Sequence, residues 1–239
     1  IYKQFIPTIK RLKKEDSVRV IHCGDVFDSR STISTFIASK TIKAFSDIRN
    51  ICDEFIILCG NHDFYSPNSD EVNTVDLFMR DMNIDIVSKD ILTRDNHAFI
   101  PWYKWIDREQ LNISEQYIFC HGDILAEKLP DWTIGKTIIS GHIHIPGKRH
   151  NLINLGSCYS LNFADANSER GFYILKNGHI EFIKNEESIN FYRLYDNEIL
   201  DFDISILNVN DYIELYLMEN NMIMKLMLEM YFLNILQTQ

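Results

Sequence analysis

Four short polar segments, each following a short apolar run, constrain this chain more than any of its other features. They are Gly24-Asp25, Gly60-Asn61-His62-Asp63, His121-Gly122 and Gly141-His142-Ile143-His144. A short apolar run that ends at glycine is typical of a buried strand, and polar residues that follow such strands converge on one edge of a sheet. Carboxylate, amide and imidazole groups are suitable ligands for manganese, iron or zinc. We therefore expect a dinuclear metal site at that edge.

Composition narrows the class of protein. With 239 residues, 46% of them hydrophobic, the chain can form one main domain and an appendage. It has no apolar stretch that could span a membrane and no secretion signal, so we expect a cytoplasmic protein. The five cysteines form no C-x-x-C pair, which argues against a disulfide framework. A net charge of −10 weighs against broad attraction to nucleic acid, although bound divalent cations or a basic partner would offset it locally.

Apolar periodicity predicts an α/β fold in which two mixed β-sheets are flanked by helices. Helices are expected near the start of the chain, over 31–48 with Ser31 as the N-cap and Phe36 and Ile37 facing inward, and over 71–82. The strands are expected at 18–23, 55–59, 84–87, 97–100, 117–120, 137–140 and 152–155. Asn177-Gly178 lies between two further apolar runs and predicts a hairpin.

The sequence changes character near residue 188, so we expect one domain over 1–187 and a separate segment over 188–239. That segment ends in a stretch rich in methionine: Met218, Met222, Met224, Met227 and Met230. Charged residues within the stretch favour an amphipathic helix over a membrane span. A core helix and a docking helix are the two alternatives. The chain opens directly in a predicted helix, so we also expect an initiating strand before Ile1.

Each polar residue of the four segments has a predicted role. Asp25 follows a strand and a glycine, and its two carboxylate oxygens can bridge two cations. Asn61 supplies an amide oxygen and His121 and His142 supply imidazole nitrogens, which with Asp25 complete one metal site. His144 is expected to leave the same extended segment as His142 on the same face and to reach the second cation.

His62 lies beside Asn61, and we assign it no metal. We expect it to protonate the leaving oxygen or to stabilise charge on a phosphoryl group, with Asp63 behind it fixing its tautomer. Because two cations neutralise charge on both the attacking and the leaving oxygen, phosphoester hydrolysis is the predicted reaction.

Other residues of similar chemistry receive no role. Cys23, Cys59 and Cys120 each stand near a proposed ligand, but we expect them to be small buried hydrophobic residues. Four histidines belong to no motif: His22, His97, His150 and His179.

These motifs resemble those of the calcineurin-like metallophosphoesterase superfamily, and the sequence between them is similar to SbcD-type DNA repair nucleases, especially phage recombination-endonuclease subunits. The resemblance extends over about residues 1–185. Ile100-Pro101-Trp102 resembles a family strand that ends in a Pro-aromatic step. Asn154-Leu155-Gly156-Ser157 and Glu169-Arg170-Gly171-Phe172 resemble the family's closing segment. Phosphatases in general do not share these features.

The resemblance implies a manganese-dependent nuclease with two Mn²⁺ ions in the complete protein. It implies 3′-to-5′ exonuclease activity on duplex DNA and endonuclease activity on single strands, in repair and recombination. The implied assembly is a homodimer with an SMC-like ATPase. The implied roles are Asp25 as bridging ligand, Asn61, His121 and His142 on one manganese, His144 on the other, and His62 as the catalytic histidine.

One departure from the family concerns the second metal. The family opens with a D-x-H motif whose Asp and His bind that metal, and no such segment precedes Gly24. Either the sequence is an N-terminally truncated piece of an active enzyme, or the protein has lost one metal; the missing first strand favours truncation. Residues 1–187 are then a nuclease domain without its first strand. Residues 188–239 are part of a capping domain or a partner-docking segment.

Two other functions fit the motifs. A phosphatase or cyclic-nucleotide phosphodiesterase of the same superfamily would use the same metal ligands, and the acidic net charge favours it. A non-catalytic scaffold would explain the missing motif, but it would have little use for His62. Lys148-Arg149 could meet a DNA phosphate, or it could be a solvated turn.

Overall fold

The fold is described from a computed structural model, which covers residues 1–125, 128–199, 201–208 and 210–216. The chain divides into two units. The first comprises Ile1–Cys158 and Glu169–Glu187, and the second comprises Tyr159–Ser168 and Ser188–Gln239. Residues 159–168, which the sequence analysis grouped with 1–187, therefore belong to the second unit. The methionine-rich stretch lies outside the described residues.

Helices and strands alternate in the first half of the chain, and strands dominate after it. The α-helices are α1 (Phe5–Leu12), α2 (Thr35–Arg49), α3 (Thr74–Met79), α4 (Trp102–Ile106) and α5 (Asp196–Ile199). The strands are β1 (Arg19–His22), β2 (Glu54–Leu58), β3 (Phe64–Ser66), β4 (Ser69–Asn73), β5 (Asp85–Val87), β6 (Leu92–Arg94), β7 (His97–Ile100), β8 (Tyr117–His121), β9 (Thr137–Gly141), β10 (Gly147–Arg149), β11 (Leu152–Asn154), β12 (Gly171–Lys176), β13 (His179–Lys184), β14 (Phe191–Tyr195) and β15 (Tyr212–Tyr216).

Two sheets form the centre of the first unit. One has the strand order β1-β2-β5, and the other has the order β10-β11-β9-β8-β7-β6. In the larger sheet β7, β8, β9 and β11 are parallel, with β6 and β10 antiparallel at its edges. The predicted α/β fold with sheets flanked by helices is confirmed. The smaller sheet, however, is parallel throughout and not mixed.

Alternating side chains of the strands build three apolar layers, because successive residues of a strand face opposite sides of the sheet. Ile56 and Leu58 of β2 face the larger sheet, where they pack against its inner side chains: Phe99, Phe119, Ile139 and Ile153. Phe55 and Ile57 face the other way and pack against α1, α2 and α3. In β7, β8 and β9, the residues that alternate with these inner side chains face the other side of the larger sheet. They pack against Trp105 of α4. The interior is therefore a sandwich with helices outside.

Two predicted helices begin later than expected. Ser34, not Ser31, caps α2, and its Oγ accepts a hydrogen bond from the Ile37 amide at 3.2 Å. The expectation that Phe36 and Ile37 face inward is wrong, because both lie exposed on the first turn. Residues 69–73 form strand β4 instead of the first turn of α3, and Asn73 caps that helix.

The predicted hairpin is confirmed. β12 and β13 are antiparallel, and their pairing runs from Gly171 opposite Lys184 to Lys176 opposite His179. Asn177 and Gly178, with φ of 52° and 77°, are both left-handed, as a two-residue type I′ turn requires.

One edge of the smaller sheet borders a cavity. Among the described strands β1 pairs with β2 alone, and a cavity of about 480 Å³ lies beside it. Side chains of α1, of the larger sheet and of the β12–β13 hairpin line this cavity, among them Phe5, Ile9, Phe119, Ile153, Phe172 and Ile180. The apolar interior is thus accessible along β1.

The second unit contains the parallel pair β14–β15. The Asn167 side chain accepts a hydrogen bond from the Arg193 amide and donates one to the Arg193 carbonyl. Arg193 also forms an ion pair with Glu214 on the neighbouring strand at 2.8 Å. Within the described residues of both units, no helix has the length and apolar character needed to cross a membrane.

We predict that Leu58→Ala destabilises the first unit strongly. Leu58 is fully buried between the sheets, and removing such a side chain costs about 2–5 kcal/mol of unfolding free energy. Leu77→Ala is the control, because Leu77 is 70% exposed and a surface change is expected to stay within about 0.5 kcal/mol. Urea denaturation measures both, and equal effects would contradict the sandwich interior.

Candidate metal centre

The four polar segments begin where four parallel strands end. Gly24-Asp25 follows β1, and Gly60-Asn61 follows β2 by one residue. His121 is the last residue of β8, and His142 directly follows β9. Each sheet therefore contributes two of the candidate ligands to one place, as the sequence pattern predicts.

His121 is the most constrained member of the group. Its side chain is fully buried, and its Nδ1 lies 2.7 Å from the Cys23 carbonyl oxygen. Since a carbonyl only accepts, Nδ1 carries the proton, and this contact fixes the tautomer. In the neutral form of the ring Nε2 then has the lone pair, and this is the form of imidazole that binds a metal.

The Nε2 atom of His121 faces oxygen atoms of two neighbouring side chains. It lies 3.2 Å from Asp25 Oδ2 and 3.0 Å from Asn61 Oδ1. Asn61 Oδ1 also lies 3.0 Å from His142 Nδ1, and Asp25, His121 and His142 bring ligand atoms within 4.8 Å of one another. Ligands that share one ion at about 2.1 Å lie about 3 Å apart. The group therefore already has the spacing of a coordination shell, and a cation among these atoms would be within reach of all four side chains.

The backbone holds two of the ligands in left-handed conformations. Asp25 has φ of 54° and His142 has φ of 83°, and such conformations in residues other than glycine cluster at functional sites. Burial acts to raise the pKa of Asp25, but the His121 ring and the His62 amide outweigh it and hold the pKa below its ordinary value. Burial, together with the nearby His121, lowers the pKa of His142. Both residues are thus favoured in the forms that bind cations.

Glycines provide the space that the buried His121 ring occupies. A Cβ on Gly60 would lie 2.3 Å from Asp25 Oδ1 and 2.6 Å from the His121 ring. Gly24 has φ of 93°, and a Cβ there would lie 2.3 Å from His121 Nδ1. Any larger residue at either position would displace a ligand.

Asp63 has a different role from the expected one. The expectation that it fixes the tautomer of His62 is wrong, because its carboxylate is fully buried and accepts three backbone amides instead. Its Oδ2 accepts from Asp25 and Gly60, and its Oδ1 accepts from Val26, each at 2.8 Å. Burial raises the pKa of Asp63 to about 6, against the opposing effect of these amides. Asp63 therefore ties together the loops that follow β1 and β2.

His62 lies at the open side of the group. Its amide donates to Asp25 Oδ1 at 2.8 Å, and its ring Nδ1 donates a short hydrogen bond to the Asp28 carbonyl. The Asp28 carbonyl thus provides the contact that was expected from Asp63. It leaves Nε2 of the partly exposed ring available to an external molecule.

His144 is placed apart from the other ligands. The expectation that it shares an extended segment with His142 is wrong, because β9 ends at Gly141 and His142 is left-handed. The His144 side chain is exposed, and it is not part of the close group. In the part of the chain that the structure describes, no second set of three such side chains is close enough to hold an ion.

Trp102 is a neighbour of the site that no metal motif identified. Its ring centroid lies 5.2 Å from that of His142 and 5.9 Å from that of His121. Its amide donates to the Cys59 carbonyl and so joins α4 to the end of β2. The Pro101-Trp102 step was the one available signal, and sequence alone gave no reason to place it against the histidines.

Three thiols lie beneath the site. Cys23, Cys59 and Cys120 are buried, and burial raises the pKa of each, in Cys120 to about 12. None belongs to the close group of ligand atoms. This agrees with the expectation that they are small hydrophobic residues.

We predict that Asp63→Asn weakens metal binding without removing a ligand. The amide NH₂ of asparagine would face at least one backbone N–H that now has an acceptor, which costs about 1–3 kcal/mol of stability and loosens the Asp25 loop. Calorimetric titration with Mn²⁺ and urea denaturation measure the two effects. Asp107→Asn, at an exposed residue without a cap hydrogen bond, is the control. Wild-type affinity in Asp63→Asn would contradict the role of these amides.

We also predict a pH dependence of metal binding. Protons compete for the histidine ligands, so affinity is highest at neutral pH and falls as pH drops through their pKa values. Because the pKa of His142 lies below its ordinary value, Mn²⁺ affinity should stay constant as pH falls from neutral and should weaken only at a lower pH than for a histidine of ordinary pKa. His179→Ala, on the exposed start of β13, should leave this profile unchanged. Affinity that does not fall with acidification at any pH at which the protein stays folded would contradict histidine ligation.

Comparison with known proteins places the site in a family. The sequence model of calcineurin-like phosphoesterases matches residues 2–150, which is more than half of the chain and includes every candidate ligand. No curated protein matches the chain. The family hydrolyses phosphoesters with divalent metals, and the nitrogen and oxygen ligands gathered here fit that chemistry. The chain belongs to the calcineurin-like phosphoesterase family.

Proposed function

We propose that this protein is a manganese-dependent phosphodiesterase that hydrolyses DNA, as a nuclease of repair and recombination. The carrying observation is the cluster of four side chains with the spacing of a coordination shell, beside which lies the partly exposed His62. The predicted activities are 3′-to-5′ exonuclease on duplex DNA and endonuclease on single strands.

Asp25, Asn61, His121 and His142 would hold the metal. Carboxylate, amide and imidazole ligands without a thiolate suit Mn²⁺. When bound, a divalent cation supplies charge stabilisation for the phosphoryl oxygens and lowers the pKa of water. The protein's own contribution is the fixed spacing of the four ligands and the tautomer of His121.

His62 would transfer a proton to the leaving group. With Nδ1–H donated to the Asp28 carbonyl, Nε2 can take up a proton from solvent and face the substrate. Attack of water on phosphorus breaks the P–O bond to the leaving oxygen, and Nε2–H protonates that oxygen. The His62 amide on Asp25 Oδ1 fixes the distance between this proton donor and the metal ligands.

Support for DNA as the substrate comes from the resemblance to SbcD-type nucleases. The Pro101-Trp102 step lies beside the histidine ligands. Lys148 and Arg149 lie exposed on the edge strand β10, just after the His142 loop, where they could contact a phosphate of a longer strand. A mononucleotide or a small phosphomonoester would have no use for them.

The same resemblance supports the proposed assembly. A homodimer with an SMC-like ATPase would supply basic surface that a chain of net charge −10 lacks. In the proposed dinuclear centre, His144 and Asp25 would hold a second Mn²⁺.

The acidic net charge favours a second candidate function. A phosphatase or cyclic-nucleotide phosphodiesterase would use the same ligands and His62, and it would not need a basic surface. A non-catalytic scaffold would keep the fold and bind no reactive phosphoester.

We predict that the protein releases nucleotides from end-labelled duplex DNA in the presence of Mn²⁺, and that His62→Ala lowers the rate about 10²- to 10⁴-fold, the range for a lost proton donor. Metal affinity should be unchanged, because His62 is not a ligand. His179→Ala is the matched control. Gel analysis of labelled products measures the rate, and calorimetry measures Mn²⁺ binding.

Parallel assays with bis(4-nitrophenyl) phosphate, 4-nitrophenyl phosphate and a cyclic nucleotide separate the alternatives. Hydrolysis of DNA and of the diester that depends on His62 supports the nuclease. Hydrolysis of the monoester or of cyclic nucleotides alone overturns it in favour of the second candidate. If the protein binds Mn²⁺ but hydrolyses none of these esters, the result supports the non-catalytic scaffold.

A further inference from the structure

The loop that carries His142 and His144 has an unusually well-bound backbone. It runs from His142 to Pro146 between β9 and β10, outside any regular element. Loops of this kind normally leave carbonyl groups to water. Here the carbonyl oxygens of Ile143, His144 and Ile145 all accept hydrogen bonds from one neighbouring part of the chain.

Asn154 makes two of these bonds with a single amide group. Its Nδ2 donates to the Ile143 carbonyl at 2.9 Å and to the Ile145 carbonyl at 2.6 Å. Asn154 is 1% exposed, and it ends β11, where it pairs with Ser140 of β9. The two hydrogens of one NH₂ group are therefore used on the carbonyl groups of the two residues that flank His144.

The carbonyl between those two is also held. The His144 oxygen accepts from the Ser157 amide at 2.8 Å and from the buried Arg170 guanidinium. Gly156, with φ of 69°, lies against Pro146 so closely that a Cβ would come within 2.5 Å of its ring. Three successive peptide groups and the end of the loop are thus fixed from one side.

This arrangement restrains the segment directly after His142, whose φ of 83° is left-handed. With the carbonyls of residues 143–145 bound on the inner side, the loop cannot relax by rotating its peptide groups. His142 then keeps its ring beside Asn61, and His144 keeps a fixed backbone beneath an exposed ring.

We propose that Asn154 is a positioning residue of the metal centre, which sets His142 and His144 through the backbone between them. This inference rests on the metal centre of the proposed function, but not on the substrate.

The test is Asn154→Asp, which keeps the size of the side chain but replaces its donor with oxygen acceptors that face two carbonyl groups. We expect Mn²⁺ affinity to fall about 10- to 100-fold, as for other groups that orient metal ligands. Asn151→Asp makes the same chemical change at an exposed position in the preceding turn and should keep wild-type affinity. Asn154→Ser, which retains one donor, should give an intermediate loss and is the variant to use if Asn154→Asp does not fold.

Affinity is measured by calorimetry and by Mn²⁺ electron paramagnetic resonance at a temperature where circular dichroism shows each variant fully folded. A purely structural role would lower the unfolding midpoint and leave the dissociation constant of the folded protein unchanged. That result in Asn154→Ser and Asn154→Asp overturns the inference while the proposed function stands. Wild-type protein that binds no Mn²⁺ would instead overturn the proposed function itself.

Discussion

The hydrogen bond between the His121 ring and the Cys23 carbonyl is the contact on which the site depends. It joins the end of β8 in one sheet to the end of β1 in the other. A fully buried imidazole needs a partner for its N–H, and this carbonyl provides it while leaving Nε2 to face Asp25 and Asn61. The same hydrogen bond therefore joins the two sheets and orients a ligand. Gly24 and Gly60 leave the space that the His121 ring requires.

Buried polar groups, more than the ligands themselves, define the geometry of this site. The Asp63 carboxylate collects amides from the loops after β1 and β2, while Asn154 collects carbonyls from the loop after β9. The Asp63 carboxylate acts only as an acceptor, and the Asn154 amide uses both of its N–H donors. Because each is buried, a lost bond leaves an unsatisfied polar atom in the interior. Hydrogen bonds within the folded chain thus help to set the ligand positions.

Sequence indicated the convergence of Asp25, Asn61, His121 and His142 because strand ends and ligand types are local features. It also indicated the β12–β13 turn, since Asn177-Gly178 has a nearly unique backbone preference. It could not show which carbonyl His62 binds, because Asp28 contributes its backbone and any residue could do so. The wrong placement of Phe36 and Ile37 has a similar cause: helical spacing marks one face but not where the core beneath it ends.

The three buried cysteines have a consequence for the redox behaviour of the protein. Oxidation and alkylation proceed through the thiolate, and burial keeps the pKa of Cys23, Cys59 and Cys120 above the ordinary range. These sulfur atoms lie next to Gly24, Gly60 and His121 in the chain, yet they are inert while the fold is intact. In the folded protein, exposure to peroxide or air should therefore leave these three thiols reduced and the neighbouring ligands in place. Unfolding would expose the thiols to oxidation.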